Sequence, residues 1–391
     1  MNIAFFCIPA HGHTNPTLAV VRELTARGHT VRYYTTEAFR AKVEAAGAVF
    51  VPFDAEAARP GMTAADGARL GSDLAFSIKL IVDLTLASDD WLSRELTAHR
   101  PDVIVGDSMS FWAKLAAKKH GIPFVSSTTT FAFNRFSAKV IGQNGAGFLQ
   151  FLLAQPRINR QLKRLRAAGY AVKSVFDIIA NDNETETVVY TSPDFQPCAD
   201  TFSEKYHFVG PLLRPAQSSF EKLPGRSLIY ISLGTVNNDA LPFYRACLAA
   251  FGGDPRFQLV LSAGTQTDLA ALGPIPESCT VRASVDQMAV LDCADVFLTH
   301  CGMNSASEGL WHGLPLVLYP QTPEQHGVAN RVAALGAGVP LTDPSADGIR
   351  RAVETALTDP SYRENAQRLA GSFRRCGGAA EAADAIEHAA N

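Results

Sequence analysis

The sequence lacks any pair of cysteines at metal-ligand or redox spacing. Its seven cysteines (Cys7, Cys198, Cys247, Cys279, Cys293, Cys301, Cys376) are odd in number, scattered, and never two residues apart. That argues against both a zinc site and a disulfide framework, and leaves the thiols as small apolar residues. Excess charge is missing too: a net charge of -3 with 19% charged residues offers no polyanion-binding surface, so nucleic acid is not an expected partner. No apolar run approaches the roughly 18 residues that a membrane span needs. The apolar stretch at 3–8 follows no basic residue and is too short for a signal sequence, so the expected location is cytoplasmic, with no integral membrane segment. There is no Asp-x-Asp at a suitable strand end and no His-Glu-x-x-His, and hence no expected metal site. Internal repeats and low-complexity tracts are likewise missing.

What is present is alternation. Short β-rich runs at 3–8, 30–35, 103–106 and 124–127 alternate with helical patterns near 16–27 and 38–46, with Pro16 at one helix start and Gly28 and Gly47 just past two ends. A second series begins at 228–232 and continues through 257–262, 296–299 and 316–319, separated by helices near 243–250, 305–312 and 328–335. Such alternation predicts α/β architecture with parallel sheets wrapped by helices. The chain of 391 residues exceeds what one core supports. Two domains are expected: 1–208, then an interdomain linker at 209–226, then 227–375, with a C-terminal helix over 376–391. Between 131 and 180 the pattern turns aromatic and helical, with Phe131, Phe133, Phe136, Phe148 and Phe151 serving either as core or as the wall of a lipophilic pocket.

In the first series, Pro9-Ala10-His11-Gly12-His13-Thr14-Asn15-Pro16 delivers two histidines to the carboxyl end of the first strand, where open α/β sheets bind ligands. A neutral imidazole there can take a proton from a hydroxyl. Asp107 ends another strand of the same sheet. A carboxylate bonded to one imidazole nitrogen fixes the tautomer and steadies the imidazolium as it forms. Asp107 serves equally well as a helix N-cap for the segment near Ser110.

The second series carries the longer signal, from Thr299 and His300 through Cys301-Gly302-Met303-Asn304-Ser305 to Glu308. It reads as strand, turn, helix. Gly302 permits the turn, and the backbone N–H groups near Asn304 and Ser305 form a diphosphate site, to which His300 adds a hydrogen bond or positive charge. Glu308, one turn on, can accept from both hydroxyls of a ribose. Glu324 and Gln325, after the 316–319 strand, suit the hydroxyls of a hexose. Ser232, Gly234 and Thr235 form a third polar loop at a strand end.

These motifs, in this order, resemble the UDP-glycosyltransferase superfamily, and in particular its bacterial macrolide-glycosyltransferase-like branch. The resemblance covers nearly the whole chain and is most specific over 299–325. It implies a GT-B fold, two Rossmann-like domains facing across a cleft, with the acceptor on the N-terminal one and the nucleotide sugar on the other. It also implies that the last helix, over 378–390, crosses back to the first domain. Carried over by motif, His13 is the base, Asp107 its partner, and His300, Asn304 and Ser305 the diphosphate binders. Glu308 is then the ribose ligand, and Glu324 and Gln325 hold the sugar. His11 is the alternative base. Where many relatives read Trp-x-Pro-Gln or Arg-x-Pro-Gln, this chain reads Ser284-Val285-Asp286-Gln287, which removes the planar group expected on the base. Arg282 can stack in its place, or backbone groups near Val285 can do the work, with Gln287 retained.

The expected enzyme is an inverting, metal-independent hexosyltransferase that moves glucose from UDP-glucose to a hydroxyl of a lipophilic small molecule such as a phenolic, flavonoid or macrolide. The UDP-sugar is a co-substrate, and no cofactor is implied. The rival readings are a dTDP-deoxysugar transferase of natural-product biosynthesis and, behind it, a sugar-nucleotide epimerase. The expected assembly is a monomer or a weak homodimer.

Overall fold

The computed structural model describes residues 1–53, 73–137, 146–179, 183–235 and 238–391, with the backbone alone described for 146–153. The described residues form two units, Met1–Leu212 with Gly377–Asn391, and Leu213–Cys376.

The first unit is built on seven parallel strands: β1 (Asn2–Phe6), β2 (Thr30–Thr35), β3 (Val49–Pro52), β4 (Val103–Asp107), β5 (Phe124–Thr128), β6 (Thr187–Val189) and β7 (Tyr206–Phe208). Their order across the sheet is 3-2-1-4-5-6-7. Helices α1 (His11–Ala26), α2 (Arg40–Ala45), α3 (Leu74–His99), α4 (Phe111–His120), α5 (Ala146–Ala167) and α6 (Phe176–Ile179) supply the crossovers. Both faces of the sheet are covered, so alternate residues of one strand enter different cores. Ile3 and Phe5 pack with Val20, Val21 and Leu24 of α1. Ala4 and Phe6 pack with Leu92 and Leu96 of α3 and with Trp112 and Ala116 of α4.

The second unit repeats the plan with six parallel strands: β8 (Ser227–Ser232), β9 (Phe257–Ser262), β10 (Cys279–Arg282), β11 (Val296–Thr299), β12 (Leu316–Leu318) and β13 (Gly338–Pro340). Their order is 10-9-8-11-12-13, the same arrangement as 3-2-1-4-5-6. Its helices are α7 (Leu241–Phe251), α8 (Gln287–Leu291), α9 (Met303–Trp311), α10 (Pro323–Ala334), α11 (Ala346–Thr358) and α12 (Pro360–Arg374). The last helix, α13 (Gly378–Ala390), belongs to the first unit. There Ala382, Ala383, Ala385 and Ile386 join the core of β1 and α1, while Arg27 reaches Asp384 at 2.6 Å and Glu387 at 3.0 Å.

Two elements differ from the sequence reading. Helix α1 starts at His11, with Ala10 as its N-cap, so Pro16 lies inside the helix and His13 is its third residue. As the sixth residue of the helix, Pro16 withholds the one N–H that would meet the Gly12 carbonyl. Of the region 59–91, to which the sequence pattern assigns no element, residues 74–91 lie in the single helix α3, which Asp73 caps by accepting from the backbone N–H of Phe76. Its earlier part lies outside the described residues. Along the segment read as linker, Val209 and Gly210 still donate to the carbonyls of Val189 and Thr191, and the first unit ends at Leu212.

Candidate active site

In each sheet the chain runs outward in opposite directions from one pair of adjacent strands, β1 with β4 and β8 with β11. Loops leaving such a pair diverge and open a crevice at the carboxyl ends. The first pair presents His13 and Asp107. The second presents the loops 232–235 and 300–305.

In the first unit, His13 Nδ1 lies 2.7 Å from Asp107 Oδ2. A carboxylate oxygen can only accept, so Nδ1 carries the proton and Nε2 carries the lone pair. Thr129 Oγ1, just past β5, lies 3.0 Å from the same Nδ1 and is a third member that the sequence reading did not single out. The Asp107 side chain is fully buried, whereas His13 keeps 19% of its side chain exposed, as a group that meets a ligand requires. Asp107 is not the N-cap of α4, which is Ser110 without a side-chain cap bond; its Oδ1 instead accepts from the backbone N–H of Met109 at 2.8 Å. One carboxylate thus closes the turn before α4 and orients the imidazole. His11 is turned elsewhere, toward Lys42 Nζ at 3.4 Å and edge-on to Phe39. Burial, aided by the Lys42 charge, lowers its pKa.

The aromatic segment after β5 divides between the two readings. Phe131 is buried and packs on Phe195, with ring centroids 5.2 Å apart. Phe133 and Phe136 are exposed, as is Met109 beside Asp107. The side chains of Phe148 and Phe151 lie outside the described residues. The exposed pair stands on a firmly held backbone. Buried Gln196 accepts from the N–H of Ala132 at 2.9 Å and donates to its carbonyl at 2.9 Å. Asn134 Oδ1 accepts from the N–H groups of Phe136 and Ser137. An exposed apolar surface on a rigid frame is suited to binding rather than to packing.

In the second unit the tight turn after β11 is not made by Gly302. Cys301 adopts the left-handed conformation at φ 64, and Gly302 is extended at φ -60 as the N-cap of α9. Glycine is required there for a different reason. A Cβ on Gly302 would stand 2.6 Å from His300 Nε2, and one on Gly234 would stand 2.6 Å from the same ring. The imidazole is pressed between two glycines. Burial drives its pKa down to about 4, with the Ser232 backbone opposing. His300 is therefore neutral at physiological pH, and the expectation of a positive charge is corrected: it offers a hydrogen bond only. The cationic character of the site comes instead from α9, whose N-cap makes no side-chain cap bond and whose first turn contains no acid, so the positive end of the helix dipole lies uncompensated by a carboxylate at residues 302–305.

Loop 232–235 is braced by Asn238, also unanticipated, whose amide donates to the Gly234 carbonyl at 3.0 Å and accepts from the N–H of Gln266 at 3.1 Å. Thr235 is exposed, and Ser232 Oγ accepts from the N–H of Gly234 at 3.3 Å. Gln287 and Glu308 are brought together: the Gln287 amide donates to Glu308 Oε2 and accepts from Tyr230 Oη at 2.9 Å. Burial raises the pKa of Glu308, while Gln287 and the Arg214 charge hold it down. Val285 is half-buried, and exposed Arg282 folds back so that Nη1 donates to the Val281 carbonyl at 3.0 Å. Gln325 closes a capping box with Thr322, its Oε1 accepting from the N–H groups of Gln321 and Thr322. Of its side chain the capping box uses only Oε1, and Glu324 beside it is exposed. Among the described residues no group of three His, Cys, Asp or Glu is placed to hold a metal, and no helix is long and apolar enough to cross a membrane.

Two parallel sheets of one order, each with polar loops at its divergent strand pair, define the class as a GT-B glycosyltransferase. Solved structures carry the same fold. The glycosyltransferase of kitacinnamycin superposes with a TM-score of 0.85 at 31% identity, over 99% of this chain and 98% of that one. A calicheamicin glycosyltransferase gives 0.81 at 30%, over 99% and 97%. The family model for UDP-glucoronosyl and UDP-glucosyl transferase matches residues 271–374. The chain is 33% identical to the NDP-glycosyltransferase YjiC of Bacillus licheniformis, over 99% of this chain and 97% of the relative. It is 34% identical to the demethyllactenocin mycarosyltransferase of Streptomyces fradiae, over 99% and 86%. The chain belongs to the UDP-glycosyltransferase superfamily, in its bacterial macrolide-glycosyltransferase-like branch.

Proposed function

We propose that this glycosyltransferase moves glucose from UDP-glucose to a hydroxyl of a lipophilic small molecule, phenolic or macrolide in character, with inversion and without a metal. The observation that carries the reading is the 2.7 Å contact between His13 and buried Asp107 at the divergent strand pair of the first sheet. The acceptor O–H gives its proton to His13 Nε2, and Asp107 stabilises the imidazolium. The acceptor oxygen attacks the anomeric carbon from the face opposite the phosphate. The bond from that carbon to the β-phosphate oxygen breaks, and UDP leaves with the electron pair. The charge developing on the leaving diphosphate falls on the N-terminus of α9 and on neutral His300 as a hydrogen-bond donor. Glu308 accepts from the ribose hydroxyls, and Glu324 and Gln325 bind the hexose.

The lipophilic acceptor is supported by exposed Met109, Phe133 and Phe136 close in sequence to Asp107 and Thr129. A dTDP-deoxysugar donor is the second reading, supported by Ser284 and by the mycarosyltransferase among the relatives. A mass-spectrometric screen of phenolic, steroidal and macrolide acceptors against UDP-glucose and dTDP-sugars tests the activity. Competition calorimetry between UDP and dTDP decides the donor. Tighter UDP binding and a hexose adduct are expected, whereas tighter dTDP binding replaces the leading donor with the second.

A further inference from the structure

We propose that Arg214 is a nucleotide-binding residue whose guanidinium lies against the nucleoside of the donor, at the edge where Ser284 supplies no bulk. The proposal rests on the donor reading above.

Arg214 precedes every strand of the second unit and belongs to none of its strand-end loops, yet it is tied to them. Its Nη1 donates to Asp286 Oδ1 at 2.9 Å. Asp286 Oδ2 accepts from the N–H of Gln217 at 2.6 Å, the N–H of Ser218 at 2.9 Å and the hydroxyl of Ser218 at 3.2 Å. Asp286 is the N-cap residue of α8 but makes no side-chain cap bond, so its carboxylate is given over to residues 214–218. The next residue along the chain is Gln287, whose amide holds Glu308. Arg214 and the ribose ligand are thus fastened to consecutive residues of one turn. The charge of Arg214 reaches Glu308 and buried Tyr230, and it opposes the burial that raises both their pKa values.

Three side chains compete for the nucleoside edge. Ser284 ends in a hydroxyl, and Arg282 turns back on its own strand, one nitrogen donating to the Val281 carbonyl. Arg214 is held at one nitrogen while 40% of its side chain stays exposed, which leaves a guanidinium face open. A planar, weakly hydrated cation stacks on a pyrimidine and donates to its carbonyls or to ribose, a combination that an ammonium cannot reproduce. As a fastening alone, a pair this exposed would add little stability.

The test is calorimetry on the full chain with two probes, UDP and inorganic pyrophosphate. It compares wild type, Arg214→Ala, Arg214→Lys and Arg214→Ala combined with Ser284→Trp. Arg214→Ala is expected to weaken UDP by about tenfold while pyrophosphate stays within about twofold, because the contact is to the nucleoside. Arg214→Lys keeps an ion pair for Asp286 but is expected to remain weak, and the Ser284→Trp combination is expected to regain most of the UDP affinity. The proposal is overturned if Arg214→Ala binds UDP like wild type, if pyrophosphate weakens in parallel, or if Arg214→Lys binds UDP like wild type. A wild-type chain that binds no nucleoside diphosphate overturns the donor reading and this proposal with it, whereas failure of the Arg214 series alone leaves the donor reading standing.

Discussion

Cys301, rather than Gly302, carries the backbone strain of the donor loop. A non-glycine residue in the left-handed region costs about 1–2 kcal/mol, and it persists here because the turn must set His300 between two glycine backbones. Gly302→Ala is therefore expected to displace the imidazole, destabilise the second unit by about 1–3 kcal/mol and weaken UDP binding, as read by urea unfolding and calorimetry. The buried ring has a pH signature as well. Its pKa falls from 6.5 unfolded to about 4 folded, so between those values the unfolded chain binds the extra proton and stability rises with pH. Each pH unit of this window is worth about 1.4 kcal/mol, so wild type should lose on the order of 3 kcal/mol relative to His300→Asn between pH 6.5 and 4. Parallel stability profiles for the two proteins would contradict a buried neutral histidine. At this scale the sequence showed His13, Asp107 and Glu308 but concealed Thr129, Asn238 and Gln196, because each of these acts through a long-range hydrogen bond that no local spacing announces.

Among the elements, the central strands β1, β2, β4, β5, β8, β9, β11 and β12 were legible because their β-rich runs are bounded by turn signals. Strands β3, β6, β7, β10 and β13 lie at or next to the sheet edges, where a strand need not carry an apolar run covered on both faces, and the pattern does not show them. The start of α1 was misplaced because Pro16 is a natural first-turn residue, and tertiary packing of Thr14, Pro16 and Thr17 extends the helix beyond it. On the proposed function, the loop after β5 is the element whose rigidity bears on acceptor choice. Gln196→Leu removes both bonds to Ala132 and leaves its buried N–H unpaired, while its carbonyl keeps the Ser137 hydroxyl at 3.1 Å, at a cost of about 1–3 kcal/mol. Acceptor KM should rise while donor KM stays unchanged, as initial-rate kinetics would show. An equal rise in both would mean that the loop does not serve the acceptor alone.

At the scale of the molecule, two units that share one order over six strands divide the proposed chemistry, with the base assigned to one and the nucleotide loops to the other. The alternation of strands and helices made that duplication readable. It could not show that Asp286 draws residues 214–218 into the second unit, since that depends on side-chain bonds across about seventy residues of chain. Helix α13 belongs to the first unit, and Ile386 is fully buried in its core. Ile386→Ala should destabilise that unit by about 2–5 kcal/mol in urea unfolding while leaving UDP affinity unchanged. The most direct test of the account removes the base alone. In His13→Ala, UDP affinity measured by calorimetry should match wild type, while the rate of glucose transfer under single-turnover conditions falls by about 10²–10⁴. Undiminished transfer in that variant would contradict the assignment of His13 as the group that deprotonates the acceptor.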